Sequence, residues 1–125
     1  ATGLPVVVAG QGDEWVKEHV AEIQSATEVK LIDLVGRTNL KAYMHLVSRA
    51  SLVLTVDGAC SHLAHGFDRP LVTIFSESNT ANPRIWTRQT KTSAVLCQSR
   101  RYDPRPGEFL ETARDVLNAG LARLK

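Results

Sequence analysis

Short runs of consecutive apolar residues alternate along this chain with stretches whose apolar residues recur at helical spacing. That alternation restricts the fold more than any other feature. Val6-Val7-Val8-Ala9 is such a run, ended by Gly10 and Gly12. A run without polar alternation suits a strand covered on both faces. Asp13 then stands where a helix cap belongs, and Trp15, Val16, His19, Val20 and Ile23 follow a helical period. Residues 29–34 read as a second strand, broken by Gly36. Thr38 or Asn39 caps the next helix, which carries Leu40, Tyr43, Met44, Leu46 and Val47 inward. A third strand spans residues 52–56, and a short helix follows Asp57-Gly58 as far as Gly66. Asp68-Arg69-Pro70 makes a turn before a fourth strand at residues 71–75. Residues 76–92 are polar and without period, residues 94–97 read as a fifth strand, and residues 107–124 carry a terminal helical pattern.

Strands separated by helices pair in parallel. The expected fold is therefore α/β, a Rossmann-like parallel sheet with helices on both faces. In such sheets ligands sit beyond the carboxyl ends of the strands. This rule selects residues 10–14, 33–39, 57–62 and 76–86 before any motif is considered. With 125 residues the chain has the size of one domain. A formal charge of +2 gives no reason to expect nucleic acid as a partner. No apolar run approaches the ~20 residues of a membrane-spanning helix, and the first residues lack the pattern of a signal peptide. Cys60 and Cys97 read as reduced thiols of a cytoplasmic protein.

The most informative segment is Asp57-Gly58-Ala59-Cys60-Ser61-His62, which joins a strand end to a helix start. Free amides and the positive end of the helix dipole gather there, an arrangement suited to phosphate. Gly58 and Ala59 allow close approach to the backbone, Asp57 accepts amide hydrogen bonds, and His62 can donate to a phosphate oxygen. The same residues also read as an Asp-Gly turn beside a core histidine, and spacing alone does not separate the two. A nucleophile elbow centred on Cys60 is a third reading, but His62 stands where that motif has its second glycine. Cys60, His62 and His65 have no fourth partner at zinc spacing, and no metal is expected. Gly10-Gln11-Gly12 lacks the third glycine of the dinucleotide fingerprint, and Asp33 is as good a turn former as a ribose ligand.

Taken in order, Asp33-Leu-Val-Gly36-Arg-Thr38-Asn39-Leu40, Asp57-Gly-Ala-Cys-Ser-His62-Leu-Ala, Arg69-Pro70-Leu-Val-Thr-Ile-Phe75, and a polar loop with Asn82-Pro83 and Trp86 resemble the donor-binding half of the bacterial heptosyltransferase family. The resemblance runs from about residue 6 to residue 86. It implies one half of a GT-B fold, with residues 1–125 as the C-terminal nucleotide-sugar-binding domain. It further implies that the first strand of that domain and the whole N-terminal domain are missing.

On this resemblance the activity is transfer of a heptose-like sugar from a nucleotide diphosphate, ADP-heptose in the named members, to a lipopolysaccharide core or similar lipid-linked acceptor. The donor would meet Asp57, Gly58, Ala59 and His62 at its diphosphate and sugar, and Thr38 and Glu14 near the nucleotide. The family's acid/base aspartate belongs to the N-terminal domain. No catalytic residue is therefore expected in this chain, which alone should not turn over, and the donor is the only small molecule required. The alternative is a non-catalytic nucleotide-binding module of the same fold. The expected place is the bacterial cytoplasm, with peripheral contact at the inner face of the inner membrane. Arg84, Arg88 and Lys91 would face lipid-linked phosphates or solvent, and Trp86 a base, a sugar or the core. An unpaired strand edge would invite self-association.

Overall fold

The computed structural model describes residues 3–75, 83–86, 92–97 and 118. The chain divides into two compact units, Ala1–Met44 and His45–Lys125. Strand β1 (Val6–Val8), helix α1 (Glu14–Ser25) and strand β2 (Leu31–Asp33) build the first; helix α2 (Leu40–Arg49) crosses the boundary. Strand β3 (Val53–Val56), helix α3 (Ala59–Gly66), strand β4 (Leu71–Phe75), helix α4 (Pro83–Trp86) and strand β5 (Ser93–Cys97) belong to the second. No described helix is long and apolar enough to cross a membrane.

All described strand pairs are parallel, as the alternation of elements predicts. They fall into two sheets, β1-β2 and β3-β4-β5. In the first, Val6 faces Leu31 and Val8 faces Asp33. β2 begins two residues later than expected because the Gln24 side chain occupies the backbone ahead of it. Its Oε1 accepts the Leu31 amide at 2.9 Å, and its Nε2 donates to the Val29 carbonyl at 3.1 Å.

Helix α1 starts where the sequence places it, but Asp13 caps with its carbonyl, which accepts the amides of Val16 and Lys17, and not with its side chain. Its apolar stripe is mostly uncovered: Val20 is buried, while Trp15 is 67% exposed and Ile23 51%. Two strands about 4.8 Å apart form too narrow a platform to cover a whole helix face. Trp15 instead meets His19, with ring centroids 4.5 Å apart, and the His19 Nδ1 donates to the Trp15 carbonyl at 2.8 Å.

The second unit has its core on β4, whose Leu71, Val72, Thr73 and Phe75 are buried together with Val53, Ala64 and Ser93. β4 is the middle strand of the described sheet, paired on both edges, which explains why four of its five residues are apolar. Helix α3 ends in a Schellman arrangement. The Arg69 amide reaches the Ala64 carbonyl at 2.9 Å and the Asp68 amide reaches His65 at 3.1 Å. Asp68 takes the left-handed position, φ 50°, which aspartate tolerates better than most residues. Pro70 then opens the turn into β4.

Two expectations need revision. Residues 83–86 form a short helix inside the polar stretch, with Pro83 in its first turn, where a proline loses no hydrogen bond. Trp86 is more than half exposed, so it does not anchor the loop in the core. The readings placed on Arg88, Lys91 and, apart from Asn118, the terminal helix of residues 107–124 lie outside the described residues, as does the side chain of Arg84.

Thr73 carries a buried hydroxyl with no hydrogen-bond partner among the described residues. A buried hydroxyl left unpaired costs roughly 1–3 kcal/mol. Thr73→Val should therefore stabilise the chain by about 1 kcal/mol. A higher urea midpoint at unchanged slope is the result that checks it.

Candidate functional site

Both units present loops at the carboxyl ends of their parallel strands. In the first, the loops after β1 and β2 are tied backbone to backbone: Leu34 donates to the Val8 carbonyl at 2.8 Å and Gly36 to the Gly10 carbonyl at 2.9 Å. The Asp33 carboxylate folds over the second loop and accepts the Val35 amide at 2.9 Å. Asp33 thus acts as the turn former of its two readings. Gly12 and Gly36 meet so closely that a Cβ on Gly36 would stand 2.9 Å from the Gly12 Cα. Gly36 also takes φ +68°, open to glycine at little cost. The contact leaves an open pocket of about 350 Å³ lined by Gly12, Lys17, Asp33, Val35, Gly36 and Arg37.

Two cationic side chains and Asp33 give this pocket a mixed polar wall. Lys17 was not legible as a site residue; the only available signal is its position three after Glu14 on one helix. Its Nζ donates to the Glu14 Oε1 at 2.8 Å. That hydrogen bond and the charge behind it hold the Glu14 carboxyl below its ordinary range and raise Lys17, to which Asp33 also contributes. Glu14 therefore reaches the pocket through Lys17 rather than lining it. Both side chains are largely exposed, so the pair adds little stability. What Glu14 adds is present above the ordinary glutamate value of about 4.3 and is lost as pH falls through its lowered folded value. Lys17→Met should return Glu14 to a higher titration midpoint, read by NMR of its carboxyl carbon.

Asn39, not Thr38, caps α2: its Oδ1 accepts the Ala42 amide at 2.9 Å and its carbonyl the Tyr43 amide. Thr38 is half-buried and makes no hydrogen bond among the described residues, so its hydroxyl is unclaimed beside Arg37.

In the second unit the loop after β3 gathers Asp57, Gly58, Ala59 and His62 at one strand-to-helix corner. Asp57 is half-buried and its amide donates to the Ile74 carbonyl at 3.0 Å, carrying the β4 ladder one residue past β3. Gly58 precedes α3 with extended backbone, and its carbonyl takes the Ser61 amide at 3.1 Å and hydroxyl at 2.7 Å. Ser61 is thereby buried as the inner bolt of the corner. The amides of Ala59 and Cys60 donate to nothing among the described residues, as the first turn of a helix requires. A Cβ placed on Gly58 would meet no atom within 4 Å. Nothing in the packing of the described residues demands a glycine there, and among them the space before the corner is open. His62 is exposed one turn along, which removes the reading of a core histidine.

The nucleophile-elbow reading of Cys60 loses its geometry. Cys60 is half-buried in the first turn of α3 and makes no hydrogen bond to an imidazole among the described residues. Nor do any three His, Cys, Asp or Glu side chains among the described residues gather into a group able to hold a metal ion.

Each sequence-selected residue lies at a carboxyl-end loop, with Asp57, Gly58, Ala59 and His62 in one unit and Glu14 and Thr38 in the other. A search of curated proteins finds no match. Among solved structures the chain is similar to E. coli ADP-heptose lps heptosyltransferase II, with 23% identity and a TM-score of 0.70. The alignment covers 98% of this chain and 38% of that one, so the chain spans well under half the length of the protein it resembles. That likeness establishes the α/β fold as part of a heptosyltransferase fold. The profile of glycosyltransferase family 9 (heptosyltransferase) matches residues 1–104, most of the sequence, and the chain therefore belongs to that family.

Proposed function

We propose that this chain is the C-terminal donor-binding domain of a two-domain glycosyltransferase. The whole enzyme would transfer a heptose-like sugar from a nucleotide diphosphate, ADP first among candidates, to a lipopolysaccharide core or similar lipid-linked acceptor. The observation that carries the reading is the open corner at Asp57–Ser61, in a chain of the heptosyltransferase family. Its Ala59 and Cys60 amides, unpaired among the described residues, and the approach those residues leave open suit a diphosphate, and the family uses nucleotide-sugar donors.

Displacement at the anomeric carbon leaves negative charge on the departing diphosphate. The amides of Ala59 and Cys60, fixed by the Ser61–Gly58 hydrogen bonds, oppose that charge without reorganising. His62 adds a side-chain donor from the same helix. Glu14 and Thr38 take the nucleoside end, where a carboxylate accepts from ribose hydroxyls and a threonine hydroxyl both donates and accepts. The acceptor's acid/base group comes from the N-terminal domain. A lipid-linked acceptor puts the enzyme at the inner face of the bacterial inner membrane.

Calorimetric titration with ADP, UDP and GDP tests the donor. Selective, saturable ADP binding is expected. Preference for UDP or GDP would keep the glycosyltransferase and replace the donor. Saturable ADP binding by the full-length protein without any sugar transfer would instead favour the non-catalytic module.

A further inference from the structure

We propose that Lys17 is a positioning residue: it holds the Glu14 carboxylate beside the Gly12–Gly36 pocket, oriented to accept the ribose hydroxyls of the donor. This role rests on the donor reading above, and every residue it uses lies in the first unit.

Glu14 opens α1, and its side chain is 84% exposed. A glutamate so placed samples many rotamers, and fixing one of them on binding costs affinity. Lys17 fixes it beforehand. One turn along the helix, the Lys17 Nζ donates to Glu14 Oε1 at 2.8 Å, while Oε2 has no partner among the described residues.

An exposed pair at this spacing is common on helices and contributes little to stability. Its surroundings set this one apart. Lys17 lines the pocket, which Glu14 does not. Asp33, at the end of β2 and so on a different element, acts on the same ammonium through its charge. The Asp33 carboxylate is in turn held by the Val35 amide at 2.9 Å. Gly12 and Gly36, also in the lining, are fixed against each other by backbone contact. The lysine thus stands between a carboxylate held by the backbone and one that nothing else among the described residues holds. A ribose hydroxyl donates one hydrogen bond, and the vacant Glu14 oxygen is a ready acceptor for it.

Calorimetry of the full-length protein with ADP and with dideoxy-ADP, which lacks both ribose hydroxyls, tests the assignment. Circular dichroism confirms the fold of each variant. The wild type should bind ADP about tenfold or more tighter than the dideoxy nucleotide. Lys17→Met should lose most of that preference, and Lys17→Arg should keep it. Glu14→Ala should lose it too, and combining it with Lys17→Met should lower the ratio little further, as residues acting as a unit require. Lys17→Met with the wild-type ratio, whether both affinities hold or fall together, overturns the assignment. A wild type that binds the two nucleotides equally overturns it and leaves the donor reading standing. A wild type that binds neither overturns both.

Discussion

Gly36→Val is expected to destabilise the unit that holds it by about 2–4 kcal/mol, among the larger effects a single substitution can produce. Two separate costs combine. A β-branched residue at φ +68° is a genuine backbone outlier. Its Cβ would also stand 2.9 Å from the Gly12 Cα, a backbone atom that cannot swing aside as a side-chain tip can. Gly36→Ala should cost less, since the methyl meets the same atom without branching. Gly12→Ala should cost least, with the reciprocal contact at 3.0 Å and no left-handed backbone to strain. Urea unfolding followed at the amide signals of Val7 and Leu31 would read this order. Equal effects for the three would mean that the two loops do not touch as described.

Gly58→Val should do the opposite: leave stability nearly unchanged and remove nucleotide binding. No described residue meets a Cβ at Gly58, and its backbone is extended, so the fold tolerates the substitution. The valine side chain would fill the space through which a diphosphate reaches the Ala59 and Cys60 amides. Hydrogen bonds to a charged group contribute about 1.5–3 kcal/mol each. Losing one or two lowers ADP affinity from roughly tenfold to more than about ten-thousandfold. Unfolding midpoints together with calorimetric affinities separate the outcomes. A variant that unfolds early would show that the corner is packed. A variant that binds ADP normally would place the ligand elsewhere.

The sequence was most legible where a signal is local and repeated. The apolar runs located β1, β3 and β4, and Asp57-Gly58 marked the corner into α3, because a strand buried on both faces and a helix start each leave a short-range pattern. Contacts across sequence distance left no such pattern. The 24-residue separation of Gly12 and Gly36 hides their approach, since neither glycine is unusual among its neighbours. Gln24 shortened β2 through side-chain amide bonds that periodicity does not record. Thr38 and Asn39 carried the same capping signal, and only geometry gave the cap to Asn39, freeing Thr38 for another partner. The stripe of α1 predicted burial correctly at Val20 and wrongly at Trp15 and Ile23, because the period of a helix does not state how wide its platform is.

The central claim is that the Asp57–Ser61 corner receives the diphosphate of a nucleotide donor. Its most direct test is a titration of the isotopically labelled chain with ADP, followed amide by amide. Saturable shifts at Gly58, Ala59 and Cys60, absent in Gly58→Val, are predicted. If ADP at saturating concentration leaves those three amides unmoved, the corner is not the donor site.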